Sequence, residues 1–339
     1  MLAAGLTAGL LAVVATIRVS AAAESSASPA AGVQVIDAAF NAVADETAEV
    51  RPIASDLKFT EGPTWHKADG CLLFSDIPAN RIYRWTEGGG LKVWREPSNN
   101  SNGNTTDTEG RLVTCEHGSR RVTRTAKDGT VEVLCDSYKG KRLNSPNDVA
   151  VKNDGTIWFT DPPYGIKPAE VEQDTNYVFR LDPGAKEPVV VASDFARPNG
   201  ICFSPDQKVL YVADSDRDKH HVRRFEVQDD NTLTGGKVFC TIEPGVPDGI
   251  RCDTDGRLYV SAGDGVQVFL PAVRTSGGGF MKDGRHVTLI EHEGRLIGKI
   301  RTPLSAANCA FGGADGKTLF ITARTGVWAV ELKVAGTCR

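Results

Sequence analysis

The chain has 339 residues, 40 % hydrophobic and 24 % charged, with a formal net charge of −4. That composition is of a soluble globular protein large enough for a substantial core. The slight acidity and the lack of a Lys/Arg stripe exclude nucleic acid as a partner. Eight cysteines without CxxC spacing exclude a thiolate metal site, and five of them (Cys71, Cys115, Cys202, Cys252 and Cys309) sit in strand patterns as small core residues.

Residues 1–23 hold an apolar run ending in Ala21–Ala23, the pattern of a cleaved signal peptide. Export to the periplasm or beyond is therefore expected. The run also admits an uncleaved anchor, but it is short for a stable membrane span. Residues 24–47 begin rich in Ala, Ser and Pro and read as a flexible segment before a single domain over 48–339.

From Glu61 onward the chain repeats one phrase six times: a polar residue, a small one, then an apolar or β-prone strand. The heads are Glu61-Gly62, Asn102-Gly103, Asn147-Asp148, Asn199-Gly200, Asp248-Gly249 and Asn308-Cys309, spaced 41, 45, 52, 49 and 60 residues apart. Each is followed about seven residues later by a tight turn such as Asp69-Gly70 or Asp154-Gly155, then by further strands. A period of this length marks propeller blades, so the expected fold is all-β, a six-bladed β-propeller. The last copy lacks a fourth strand, and the unpaired stretch Glu49–Ala54 is placed to supply it by closing the ring against 327–332.

In a propeller the innermost strands border a central channel, so the six heads face one another. Two carboxylates and four amides there call for a hard cation. An oxygen-only set favours Ca2+, because zinc sites usually recruit His or Cys. Second strands end in Asp76, Glu116, Asp161 and Asp214, encircling the same mouth. Asp161 leads into Pro162-Pro163-Tyr164 and an insertion over 167–176 that would wall a pocket. Asn102, Asn147, His117, Asp161 and Tyr164 form the expected substrate-binding set.

Five motifs carry a resemblance: Glu61-Gly-Pro-Thr-Trp65, Arg142-Leu-Asn-Ser-Pro-Asn-Asp148, Phe159-Thr-Asp-Pro-Pro-Tyr-Gly165, Arg197-Pro-Asn-Gly200 and Pro247-Asp-Gly249. Together they resemble the gluconolactonase, regucalcin and luciferin-regenerating family, in its bacterial gluconolactonase-like branch. The resemblance implies a divalent metal held by Glu61, Asn199 and Asp248 with Asn147 as ligand or neighbour, Zn2+ or Mn2+ being accepted beside Ca2+. It also implies Asp248 as general base and hydrolysis of a sugar lactone as the reaction. Promiscuous arylesterase or phosphotriesterase action at the same metal, or a non-catalytic calcium-binding propeller, are the competing readings. Ser145 and Gly165 stand where one branch of the family grips its sugar with an arginine and an acidic residue.

Overall fold

The computed structural model describes residues 30–271, 279–282, 285–288 and 294–337. The expected signal peptide lies outside them. Among the described residues no helix is long and apolar enough to cross a membrane.

Six antiparallel sheets follow one another as the blades of a propeller. Blade one runs Thr60–His66, Cys71–Asp76, Arg81–Thr86 and Gly90–Arg95 from the channel outward, and blades two to four repeat this meander of four strands. In blade six the inner strands Asn308–Gly312, Thr318–Ala323 and Gly326–Glu331 are completed by Arg51–Ala54, which pairs Arg51 with Ala329 and Pro52 with Trp328. The expected closure of the ring by the chain's N-terminal part is thus the observed one. It covers the outer side of Gly326–Glu331, which would otherwise be an exposed edge.

Blade five departs from the expectation. The segment 24–47, read as flexible, is ordered from Gly32: Gly32–Val35 adds a fifth, outermost strand beside Leu296–Arg301, with Val33 opposite Ile300. A 310 turn at Ala38–Ala42 follows, its first turn capped by Asp37 accepting from Ala39 N–H. It drives Phe40 to complete burial among Val43, Ala44, Val268, Ile297 and Ile300. Gly298 makes the room, since a Cβ there would stand 2.2 Å from the Phe40 ring. The Ala/Ser/Pro bias of the preceding residues concealed an alternating strand and one aromatic anchor.

Why the second residue of each head is small follows from the approach of neighbouring blades. A Cβ on Gly62 would lie 1.9 Å from Asn102 O, one on Gly103 2.4 Å from Asn147 O, one on Gly200 2.3 Å from Asp248 O, and one on Gly249 1.9 Å from Asn308 Cγ. No side chain fits, so each blade's head backbone seats directly against the next. Gly103 N–H donates to Asn147 O at 2.8 Å and Gly249 N–H to Ala307 O at 2.7 Å, tying blades across the channel wall. The ladder slips by a residue at the heads of blades one, two and four, between Glu61 and Thr64, Ser101 and Asn104, and Pro198 and Ile201. Such bulges re-aim a side chain, here the head itself, into the channel.

Seven cysteines, Cys71 to Cys309, are buried free thiols. Residues 271–285 lie between the third and fourth strands of blade five and fall largely outside the described residues.

If the Phe40 anchor belongs to the core, Phe40→Ala should destabilise the fold by about 3–5 kcal/mol in denaturant titrations. A loss below about 0.5 kcal/mol, the range of surface changes, would return residues 32–47 to the status of a loose tail.

Candidate active site

All six heads converge at one end of the channel, and five of them are at most 7 % exposed: Glu61 (3 %), Asn102 (5 %), Asn147 (3 %), Asn199 (7 %) and Asn308 (2 %). Asp248 alone stays partly open to the mouth. A directed chain of hydrogen bonds runs round the ring. Asn102 Nδ2 donates to Asn147 Oδ1 at 2.7 Å, Asn147 Nδ2 donates to Asn199 Oδ1 at 2.6 Å, and the Asn199 side chain bonds Asp248. From the other side Asn308 Nδ2 donates to Glu61 Oε2 at 3.1 Å, and Gly62 N–H donates to the same oxygen at 2.6 Å. The chain ends where Asp248 and Glu61 share a hydrogen bond.

Two carboxyl groups in contact cannot both stay ionised without a cation. Burial, then the Asp248 charge, pushes the Glu61 carboxyl well above the usual carboxylate range. Burial likewise raises Asp248 to about 7, opposed by the bond from Asn199. Without a cation, then, protons do the neutralising. A divalent cation would have its charge balanced by the same two oxyanions, and the Asn199 oxygen, with a second lone pair beyond the bond it accepts from Asn147, is a further candidate ligand, whereas Asn147 Oδ1 already faces both Asn102 Nδ2 and His117 Nε2. The donor set therefore fits a hard divalent ion.

His117 is brought to the ring but not to the reacting side of it. Its Nε2 lies 3.2 Å from Asn147 Oδ1 and 3.3 Å from Asn102 Nδ2, and burial lowers its pKa to about 4. The imidazole is neutral near pH 7, a brace for two amides. Gly165 is packed onto it, because a Cβ there would meet His117 Cβ at 2.5 Å. Tyr164 reaches the mouth: its phenol pKa is raised by burial and then by the Asp248 charge, against the influence of nearby Ser215 and Asn199, and Arg197 covers its ring at 5.7 Å. It remains 36 % exposed.

Asp161 is not brought to the mouth. It is fully buried, and its Oδ2 accepts from Asn144 N–H at 2.7 Å. The acids at the other second-strand ends behave alike. Asp76 accepts from Lys58 and Phe59 N–H at 3.0 and 3.1 Å, and Asp214 from Ala196 and Arg197 N–H at 3.0 and 2.8 Å. Each carboxylate thus grips the backbone two or three residues ahead of its own blade's head. Glu116 instead takes Arg95 and Arg121 at 2.7 and 2.8 Å. The acidic circle expected to meet substrate is a set of posts that fix the heads, and Asp161 leaves the substrate-binding set.

Two charged residues have roles that sequence reading missed. Arg324 follows the second strand of blade six, where the repeat has no acid, and its exposed side chain lowers the Asp248 pKa through its charge. Asp148, fully buried, fills the place held by glycine in four other heads and pairs with Arg251 at 3.2 Å. Elsewhere, His66, Asp69 and Cys71 bring ligand atoms within 4.8 Å of one another. Arg84 bonds the Cys71 sulfur and His66 Nε2 meets Gly110 O at 3.0 Å, so a cation is already at that place.

With this geometry in view, comparison with known proteins is decisive. The model of the SMP-30/Gluconolactonase/LRE-like region matches residues 59–325. The chain belongs to this family. It is 33 % identical over 323 residues to a gluconolactonase of Zymomonas mobilis, covering 88 % of this chain and 85 % of that one. A solved gluconolactonase structure from Xanthomonas campestris superposes with a TM-score of 0.78 at 34 % identity, covering 90 % of this chain and 96 % of that one. A regucalcin structure from Agrobacterium tumefaciens, 18 % identical with a TM-score of 0.67 over 86 % of this chain and 96 % of that one, shares the fold.

The carboxyl pair makes metal-free stability depend on pH with a definite sign. Asp248 titrates near 7 when folded and about 3.9 when unfolded, so its contribution is full below about pH 4 and lost as pH rises through about 7. In metal-free protein the Tm of wild type minus that of Glu61→Gln/Asp248→Asn should fall between those limits. A flat difference would show that the two acids do not share a site.

Proposed function

We propose that this lactonase opens sugar lactones at a divalent cation, most favourably Ca2+, held by Glu61, Asn199 and Asp248 with Asn147 beside them. The observation that carries this reading is the contact of two buried carboxyl groups inside an otherwise amide ring, a charge arrangement that asks for a dication. A bound cation would supply the Lewis acid that polarises the lactone carbonyl and stabilises the oxyanion.

The chain's own residues divide the remaining work. Asp248, partly open to the mouth, takes the proton from the attacking water at a carboxylate oxygen. Asn199 lies beside both Asp248 and Tyr164, so it relates the base to an aromatic ring at the mouth. Tyr164, covered by Arg197, offers a face and a hydroxyl to a polyhydroxylated ring. Arg324 adds a positive charge at the opposite rim and holds Asp248 toward its ionised, basic form. His117, neutral and buried, keeps the Asn102 and Asn147 amides turned in the direction the hydrogen-bond chain needs. Export of the mature protein is part of the proposal, supported by the apolar run in residues 1–23.

The test is a lactone panel assayed with and without a chelator, together with two near-isosteric variants. Asp248→Asn removes the base and one charge and should lower kcat by at least about 100-fold even at saturating metal. Asn147→Asp adds a charge, so metal should bind at least as well while KM changes. If saturating metal restores Asp248→Asn to near wild-type kcat, Asp248 is a ligand only and the base lies elsewhere.

A further inference from the structure

Beyond the ring, the channel opens at its other end into a cavity of about 410 Å3. That volume falls in the range of about 300–1,000 Å3 typical of small-ligand sites. All six inner strands contribute to its wall, through residues such as Trp65, Thr105, Val149, Ile201, Arg251 and Phe311. The wall is apolar and aromatic in part, with hydroxyls from Thr105 and Thr254. Among the described residues its only charged side chain is Arg251.

The guanidinium of Arg251 is half committed. Nη1 bonds Asp148 Oδ2 at 3.2 Å and Ile250 O at 2.6 Å, whereas Nε and Nη2 make no hydrogen bond among the described residues, and the side chain keeps 18 % exposure. Asp148 does not use the rest of that charge. It spends Oδ1 on Val149 N–H at 3.0 Å and shares Oδ2 between Arg251 and Ile201 N–H, the latter at 3.3 Å. An arginine held rigid by its own ion pair, with donors left over at the wall of the bowl, is a preorganised receptor for a planar anion. Among the described residues no second cation lines the cavity, which suits a monoanion better than a phosphate dianion.

We propose that the turn end of the channel is a second site, in which Arg251 binds the carboxylate of a small hydroxylated organic acid whose carbon chain lies against Trp65 and Phe311. The site is separate from the carboxyl pair of the ring and does not depend on the reaction proposed there. Arg251 is its binding residue, and Asp148 is the positioning residue that fixes the guanidinium.

The experiment is calorimetric titration of the full-length protein with D-gluconate and, as an uncharged control, D-glucitol, with and without prior metal stripping. One saturable gluconate site that survives stripping is expected, with glucitol failing to bind there. Arg251→Gln should weaken it by at least about tenfold, the loss expected of a charge-assisted contact. Because that variant leaves Asp148 unpaired, Thr254→Trp, at the exposed rim, provides the second arm by filling the bowl without touching a charge. It too should weaken binding at least about tenfold. Absence of saturable binding, binding abolished by metal stripping, or binding unchanged in Thr254→Trp would each overturn the proposal, the second outcome placing the acid at the ring instead.

Discussion

Much at the centre of this molecule depends on inner strands that meet, at four of the six heads, with no room for a side chain on the head's second residue. At Gly62, Gly103, Gly200 and Gly249 the next blade's head sits where a Cβ would be, at 1.9 to 2.4 Å. Contact at that range fixes the position of each head to its neighbour, and so converts a sequence repeat into a ring of polar side chains at hydrogen-bonding distance. Interiors packed this closely transmit displacement, so the site geometry and the closure of the propeller are one constraint. The N-terminal strands, beside blades five and six, complete the outer wall on which that closure rests.

Charge is then distributed along the channel axis. At one end Glu61 and Asp248 compress two acids into a buried contact, and amides on both flanks donate toward them. Next along the axis comes Asp148, a carboxylate at the place that glycine fills in four of the other five heads, and its partner Arg251 faces the opposite mouth. Acid below acid raises the proton affinity of the ring, since the Asp148 charge pushes up both Glu61 and Asp248. A neutralising arginine behind Asp148 limits that effect to what burial alone makes costly. The posts at Asp76, Asp161 and Asp214 spend their charge on backbone N–H groups and so add rigidity where the heads leave their strands.

The parts legible in the sequence were those imposed by backbone geometry. Polar-small heads, a turn at a fixed interval and a missing strand at the end each follow from steric rules that composition cannot disguise, and they sufficed for the fold and for the ring of Glu61, Asn102, Asn147, Asn199, Asp248 and Asn308. What could not be read was the direction in which a side chain is spent. Asp161 and Asp248 are both acids that the repeat places toward the same end of the channel, but one turns back to a backbone N–H and the other faces its like, and spacing does not distinguish them. Arg324 and Arg251 were hidden for the opposite reason: each stands off the repeating position. Gly32–Val35 was masked by the Ala/Ser/Pro tract before it, although a single buried Phe40 is enough to hold it.

The central claim is that the carboxyl pair, and not some other cluster, is where a cation resides. The most direct measurement is anomalous diffraction from crystals of the full-length protein loaded with Mn2+, a cation visible by its scattering and suited to oxygen ligands. The account predicts one principal peak within about 2.5 Å of oxygens from Glu61, Asn199 and Asp248. A principal peak at His66, Asp69 and Cys71, or an Mn2+-saturated crystal whose ring holds none, would contradict it.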